Sequence, residues 1–194
     1  MRKQQLTRKT GETSIEMEFS LDGTGKTNIN TGVGFFDHML TAFAKHGRFD
    51  LSVTCDGDIE VDQHHSVEDV GIVLGQLFNQ CIGTKEGIER YALVSTPMDE
   101  ALSTASIDIS GRSFLVFNVD GMKDKVGEFD TELVEEFFLA FTNNAKITLH
   151  INLNYGKNTH HIIESVFKSF GRALRVASTI NPDVKGIPST KGSL

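Results

Sequence analysis

The pattern His64-His65-Ser66-Val67-Glu68 returns near the far end of the chain as His160-His161-Ile162-Ile163-Glu164. The two copies stand 96 positions apart in 194 residues, half the length of the chain. A repeat at that distance constrains the chain to two similar units, each presenting the pattern in the same local geometry. Apolar residues follow both copies at three- and four-residue spacing: Val67, Val70, Val73, Leu74, Leu77 and Phe78 in the first, Ile163, Val166, Phe167, Phe170 and Leu174 in the second. That spacing predicts a helix at each place. On a helix, residues i and i+4 share a face, whereas i and i+1 point about 100° apart. His64 therefore pairs with Glu68 and His160 with Glu164, while His65 and His161 face elsewhere. A lone histidine at a helix start is ordinarily a solvated or hydrogen-bonded residue. Duplication with the spacing kept points instead to two symmetric metal sites.

The halves align beyond the repeat. His38-Met-Leu-Thr-Ala-Phe43 falls over Glu136-Phe-Phe-Leu-Ala-Phe141, and Arg48–Val53 over Lys146–Ile151. His38 and Glu136 are thus counterparts, each on the shorter helix of its half. Eight candidate ligands result: His38, His64, His65, Glu68, Glu136, His160, His161 and Glu164. Pseudo-symmetry groups His64, Glu68, Glu136 and His161 at one ion, and His160, Glu164, His38 and His65 at the other. Imidazole and carboxylate without thiolate suit manganese, iron, cobalt, nickel or zinc. Taken alone, Glu136 also fits a solvated helix face with Glu132 and Glu135.

Between these landmarks the chain alternates strands and helices. Ile15, Met17, Phe19 and Leu21 alternate with Ser14, Glu16, Glu18 and Ser20, the pattern of a half-buried strand over 13–21. A helix over 35–46, a strand over 48–55 with its turn at Asp56-Gly57, and a helix over 62–82 complete the first half. The second half reads as strands over 89–95, 102–109 and 114–119, a helix over 131–144, a strand over 147–153 and a helix over 159–177. Pro97 and Met98-Asp99-Glu100 join the first two of those strands. The expectation is a single catalytic domain over 1–194 built of two pseudo-repeats, about 1–95 and 96–194.

Nineteen basic against 26 acidic residues, a net charge of −7, argue against nucleic acid or a membrane surface as partner. Two cysteines, Cys55 and Cys81, make no disulfide framework and point to a reducing compartment. The first ten residues lack the apolar core of a signal peptide, and no run approaches the ~20 apolar residues of a membrane span, so the expected location is the cytoplasm. An anionic ligand then needs a local basic pocket, for which Arg90, Arg112, Lys168 and Lys191 are candidates. Pro188-Ser189-Thr190-Lys191-Gly192 adds hydroxyls, backbone amides and a lysine, though without the glycine spacing and following helix of a Walker loop.

Taken together these blocks resemble the imidazoleglycerol-phosphate dehydratase family of histidine biosynthesis, in its single-function form. The resemblance runs from Arg8-x-Thr-x-Glu12-Thr through Phe36-Asp-His-Met-Leu40, Asp62-x-His-His-Ser-Val-Glu-Asp69, Met98-Asp-Glu-Ala-Leu102, Asp108-x-Ser-Gly-Arg112 and Gly156-x-Asn-x-His-His-x-x-Glu164 to the C-terminal loop. It implies an α+β fold, internally duplicated, with helices sandwiched between two four-stranded β-sheets (ribosomal S5 domain 2-like). It implies two manganese ions per active site, sites formed between subunits, and a homo-oligomer of 24 copies. Carried over by position, the metal ligands are the eight above. Glu12, Arg90, Arg112, Lys168, Ser189 and Lys191 contact the substrate or its phosphate, with Glu12 as the catalytic acid/base. Many family members carry histidine where this chain has Glu136.

The implied reaction dehydrates D-erythro-imidazole glycerol phosphate to imidazole acetol phosphate. The proton lost has no adjacent carbonyl to acidify it, so a metal-stabilised imidazolate is the expected route, expelling the neighbouring hydroxyl to a diazafulvene-like intermediate. Two other classes fit the metal motif. A di-metal phosphoester hydrolase would release phosphate. A metal-binding cage protein would turn over nothing and need neither Arg112 nor Lys191.

Overall fold

Alternation along the first strands builds one face of the molecule, and the computed structural model describes it together with the whole of residues 1–194. β1 (Lys3–Lys9) and β2 (Thr13–Ser20) form a hairpin in which Lys3 pairs with Ser20 and Lys9 with Ser14. β3 (Thr27–Asn30), α1 (Gly34–Gly47), β4 (Asp50–Gly57) and α2 (His64–Ile82) complete the first unit. The second opens on β5 (Tyr91–Met98), followed by β6 (Ala101–Asp108) and β7 (Phe114–Asn118). A small hairpin, β8 (Lys125–Val126) and β9 (Phe129–Asp130), precedes α3 (Leu133–Ala145), β10 (Thr148–Tyr155) and α4 (Thr159–Ser178).

The two units share one topology. The sheets run β1-β2-β4-β3 and β5-β6-β10-β7, antiparallel except for the last pair of each, β3 with β4 and β7 with β10. The fold is α+β with duplicated halves, as the repeat implies. Its four helices lie between the sheets and pair across the halves, α1 on α4 and α2 on α3, while α2 covers β2 and β1, and α4 covers β6 and β5.

Glycines set how closely the helices approach. A Cβ on Gly171 would lie 2.5 Å from the Phe43 carbonyl oxygen, and one on Gly75 would lie 2.5 Å from that of Phe141. The two positions are 96 residues apart, so the close contact is repeated with the motif. Around these crossings Phe43 stacks on Phe170, and Phe137, Phe138, Phe141 and Phe167 interlock with centroids 5.1 to 6.5 Å apart. They belong to one core of 46 buried residues running through both halves. Each such phenylalanine contributes about 1.5–3 kcal/mol from burial, so neither half retains its core without the other.

Several boundaries differ from the sequence reading. Asp56-Gly57 is the end of β4, paired with Thr13 and Ser14, rather than a turn. Pro97 and Met98 lie inside β5, an edge strand where a missing N–H is tolerated, and the turn shrinks to Asp99-Glu100. β1 carries no apolar alternation, since its positions are mostly exposed and polar. Arg48 and Lys146, at equivalent positions, end α1 and α3 in the left-handed conformation with φ of 55° and 57°. No helix is long and apolar enough to cross a membrane.

Candidate metal centre and anion cleft

The pairing of α1 with α4 brings His38 beside the second copy of the motif. His38 Nε2 lies 3.6 Å and His160 Nε2 3.3 Å from Glu164 Oε2. Ligand atoms of all three lie within 4.8 Å of one another, close enough to hold one ion. The Phe35 ring meets His160 edge-on with centroids 5.1 Å apart, limiting where that imidazole can turn. Asn158 caps α4, its side chain accepting the backbone N–H groups of His160 and His161. Burial tends to raise the Glu164 carboxyl, but the Lys168 hydrogen bond and the charges of Lys168, His38 and His160 bring it below its ordinary value.

The pairing of α2 with α3 makes the counterpart. His64 Nε2 lies 4.0 Å from Glu68 Oε2. Glu136, on the first turn of α3 and half-buried, occupies the place of His38, since α3 meets Gly75 as α1 meets Gly171. No ion pair joins Glu136 to His64, so this cluster is more open than the first.

His65 and His161 stand apart. Their rings are turned 79° and 77° from those of His64 and His160. His65 Nδ1 lies 3.1 Å from both carboxylate oxygens of Asp58, with Nε2 3.6 Å from Glu12 Oε1. His161 Nδ1 lies 2.7 Å from Glu100 Oε2, with Nε2 3.8 Å from Asp99. The hydrogen bond to Asp58 raises the His65 ring, and that to Glu100 raises the His161 ring while drawing the Glu100 carboxyl down to about 2. Within one chain, therefore, the four-ligand groupings read from pseudo-symmetry do not close. His65 does not join His38, His160 and Glu164, because the 100° step from its neighbour aims it at a different surface.

Glu12 sits at the tip of the β1–β2 hairpin, and Asp69 fixes that tip. The buried Asp69 carboxylate accepts the Thr13 hydroxyl at 2.5 Å and pairs with Arg8 at 2.5 Å. An acidic residue between Val67 and Val70 on an apolar helix face was the available sign of this anchor. Asp58 carried no such sign, because its partner is reached only after folding.

The cationic candidates divide. Arg90, Arg112, Ser189 and Lys191 line one open cleft of about 730 Å³ with Tyr91 and Thr190. Arg90 is committed to holding the cleft: its guanidinium donates to Asp108 at 2.7 Å and to the Pro188 carbonyl at 2.8 Å. Arg112 is the more exposed guanidinium, its side chain 69% exposed, with a long hydrogen bond of 3.4 Å to the Ser110 carbonyl and 3.9 Å to Asp108. Lys168 does not join them. Its Nζ donates to Glu164 Oε1 at 2.6 Å and lies 3.2 Å from the Met98 sulfur, because one helical turn separates it from Glu164.

Comparison with known proteins agrees with this architecture. The family model Imidazoleglycerol-phosphate dehydratase matches residues 31–174. Imidazoleglycerol-phosphate dehydratase of Oceanobacillus iheyensis is 64% identical over 194 residues, covering 100% of both chains. That of Streptococcus mutans serotype c is 56% identical over 194 residues, again covering 100% of both. The crystal structure of Imidazoleglycerol-phosphate dehydratase from Staphylococcus aureus superposes with a TM-score of 0.84 at 46% identity, over 92% of this chain and 99% of that one. The Pyrococcus furiosus structure, solved in complex with (S)-C348, gives 0.84 at 37% identity over 97% and 100%. The chain belongs to the imidazoleglycerol-phosphate dehydratase family and is therefore a hydro-lyase.

Proposed function

We propose that this chain dehydrates imidazole glycerol phosphate to imidazole acetol phosphate in histidine biosynthesis, in the cytoplasm, with two manganese ions per active site. The observation that carries the metal dependence is the convergence of His38, His160 and Glu164 from opposite halves within 4.8 Å. Three nitrogen and oxygen donors without thiolate fit a divalent first-row ion, and the pseudo-equivalent His64, Glu68 and Glu136 supply a second, more anionic place. Divalent ions at these places supply the positive charge that eases loss of a proton from an imidazole.

The chain's own residues do the rest. Arg112 and Lys191, with the Ser189 hydroxyl, hold a phosphate in the cleft, which their guanidinium and ammonium groups line. Glu12, exposed at the hairpin tip, gives its proton to the departing hydroxyl, which leaves as water, and the carboxylate so formed takes the carbon-bound proton. Because His65 and His161 are aimed away from the clusters of their own chain, each site is completed by a histidine from another subunit, which supports a homo-oligomer, 24 copies by family likeness. No nucleic-acid or membrane partner enters this scheme.

Product identity tests the reading. Incubation with imidazole glycerol phosphate is expected to yield a ketone that retains its phosphate. Release of inorganic phosphate without a ketone would overturn it in favour of a hydrolase.

A further inference from the structure

His65 and His161 present a common arrangement reached by different routes. Asp58 lies just after β4, whereas Glu100 lies in the turn between β5 and β6, so the two carboxylates are not counterparts in the repeat. Yet each meets Nδ1 of an equivalent histidine, at 3.1 Å for His65 and 2.7 Å for His161. Duplication supplies the two histidines; the carboxylates reach them independently in each half.

A carboxylate accepts and does not donate, so each neutral ring carries its proton on Nδ1 and keeps its lone pair on Nε2. A carboxylate behind a ligating histidine fixes both tautomer and ring orientation. Glu100 is itself held in place. Its Oε1 accepts the backbone N–H of Asn158 at 2.7 Å and of Lys157 at 3.2 Å, which leaves Oε2 alone to face His161. Asp58 is held less rigidly, since both of its oxygens stand at the same distance from the ring.

We propose that Asp58 and Glu100 are positioning residues for His65 and His161, holding each ring with Nε2 offered outward to a divalent cation. This rests on the metal reading above. It separates two substitutions that otherwise look alike. In Glu100→Gln the amide oxygen keeps the two backbone N–H groups, so the amide nitrogen faces Nδ1 and donates to it. The ring proton then moves to Nε2 and blocks ligation. In Asp58→Asn the side chain turns its oxygen to the ring, and ligation survives.

The test titrates the chelator-stripped full assembly with MnCl2 and follows free Mn2+ by electron paramagnetic resonance, alongside the melting temperature. Asp58→Ala and Glu100→Gln are expected to weaken Mn2+ binding about ten- to hundredfold with the melting temperature unchanged, while Asp58→Asn keeps most of it. Wild-type affinity in both weakened variants, or a loss that only follows a lowered melting temperature, would overturn the positioning role. Failure of the wild-type protein to bind Mn2+ would overturn the metal reading itself and the positioning role with it.

Discussion

His38 Nε2 stands 3.6 Å from Glu164 Oε2 although the two residues belong to opposite halves of the chain. α1 reaches α4 only because Gly171 lets the helices close to contact at Phe43. The duplicated fold therefore builds the cluster of His38, His160 and Glu164 from both repeats, while the rings of His65 and His161 turn 79° and 77° from those of their neighbours.

Subunit mixing follows from that division. His38→Ala and His65→Ala are each expected to be inactive, because each lacks one donor at every site. Denatured together and reassembled, they restore activity at the minority of sites that take His38 from one parent and His65 from the other. Mixed assemblies as inactive as either parent would show that the two histidines serve the same chain.

Gly171→Ala places a methyl group 2.5 Å from the Phe43 carbonyl and 3.2 Å from the Phe43 ring. The expected cost is about 1–3 kcal/mol in denaturant unfolding, since overpacked helices must separate. Gly11→Ala, with nothing within 4 Å of its Cβ, is the control and is expected to be near neutral. Equal midpoints for the two variants would contradict the close approach.

Asp69→Ala removes the acceptor of the Thr13 hydroxyl and the partner of Arg8. The loss is expected to be about 2 kcal/mol, the range for hydrogen bonds to a charged group. Because the same anchor places Glu12, turnover falls further than stability alone accounts for, which kinetics on fully folded protein will read. Full turnover in folded Asp69→Ala would detach the hairpin anchor from Glu12.

Asp22 gives the protein an acid-sensitive contact away from the site. The Arg2 guanidinium and backbone N–H beside it hold its carboxyl at about 2, below the ordinary 3.8. A depressed carboxyl contributes stability that is present above the unfolded value and lost as pH falls through the folded one. The Asp22→Asn penalty is therefore expected at neutral pH and to shrink between about pH 4 and pH 2. Urea midpoints at several pH values check it; a penalty independent of pH would contradict it.

Much of this was legible in the sequence because the repeat carries its own geometry. The i, i+4 spacing of His160 and Glu164 placed them on one face, and the alignment of His38 with Glu136 identified the helices that meet them. The edge strand β1 was not legible, since a polar exposed strand has no apolar alternation to betray it. Asp58, Asp69 and Glu100 escaped as supports because a carboxylate's partner is fixed by tertiary contact, not by spacing along the chain. Within one chain Lys168 pairs with Glu164 one helical turn away and lies outside the cleft of Arg90 and Arg112, a separation that spacing along the sequence does not show.

Removing and restoring the metal measures metal dependence directly. Turnover of imidazole glycerol phosphate, followed through the ketone product, is measured on chelator-treated protein before and after Mn2+ is restored. Activity that vanishes on chelation and returns with Mn2+ is the expected result. Activity that persists in protein shown to be free of metal would contradict metal dependence.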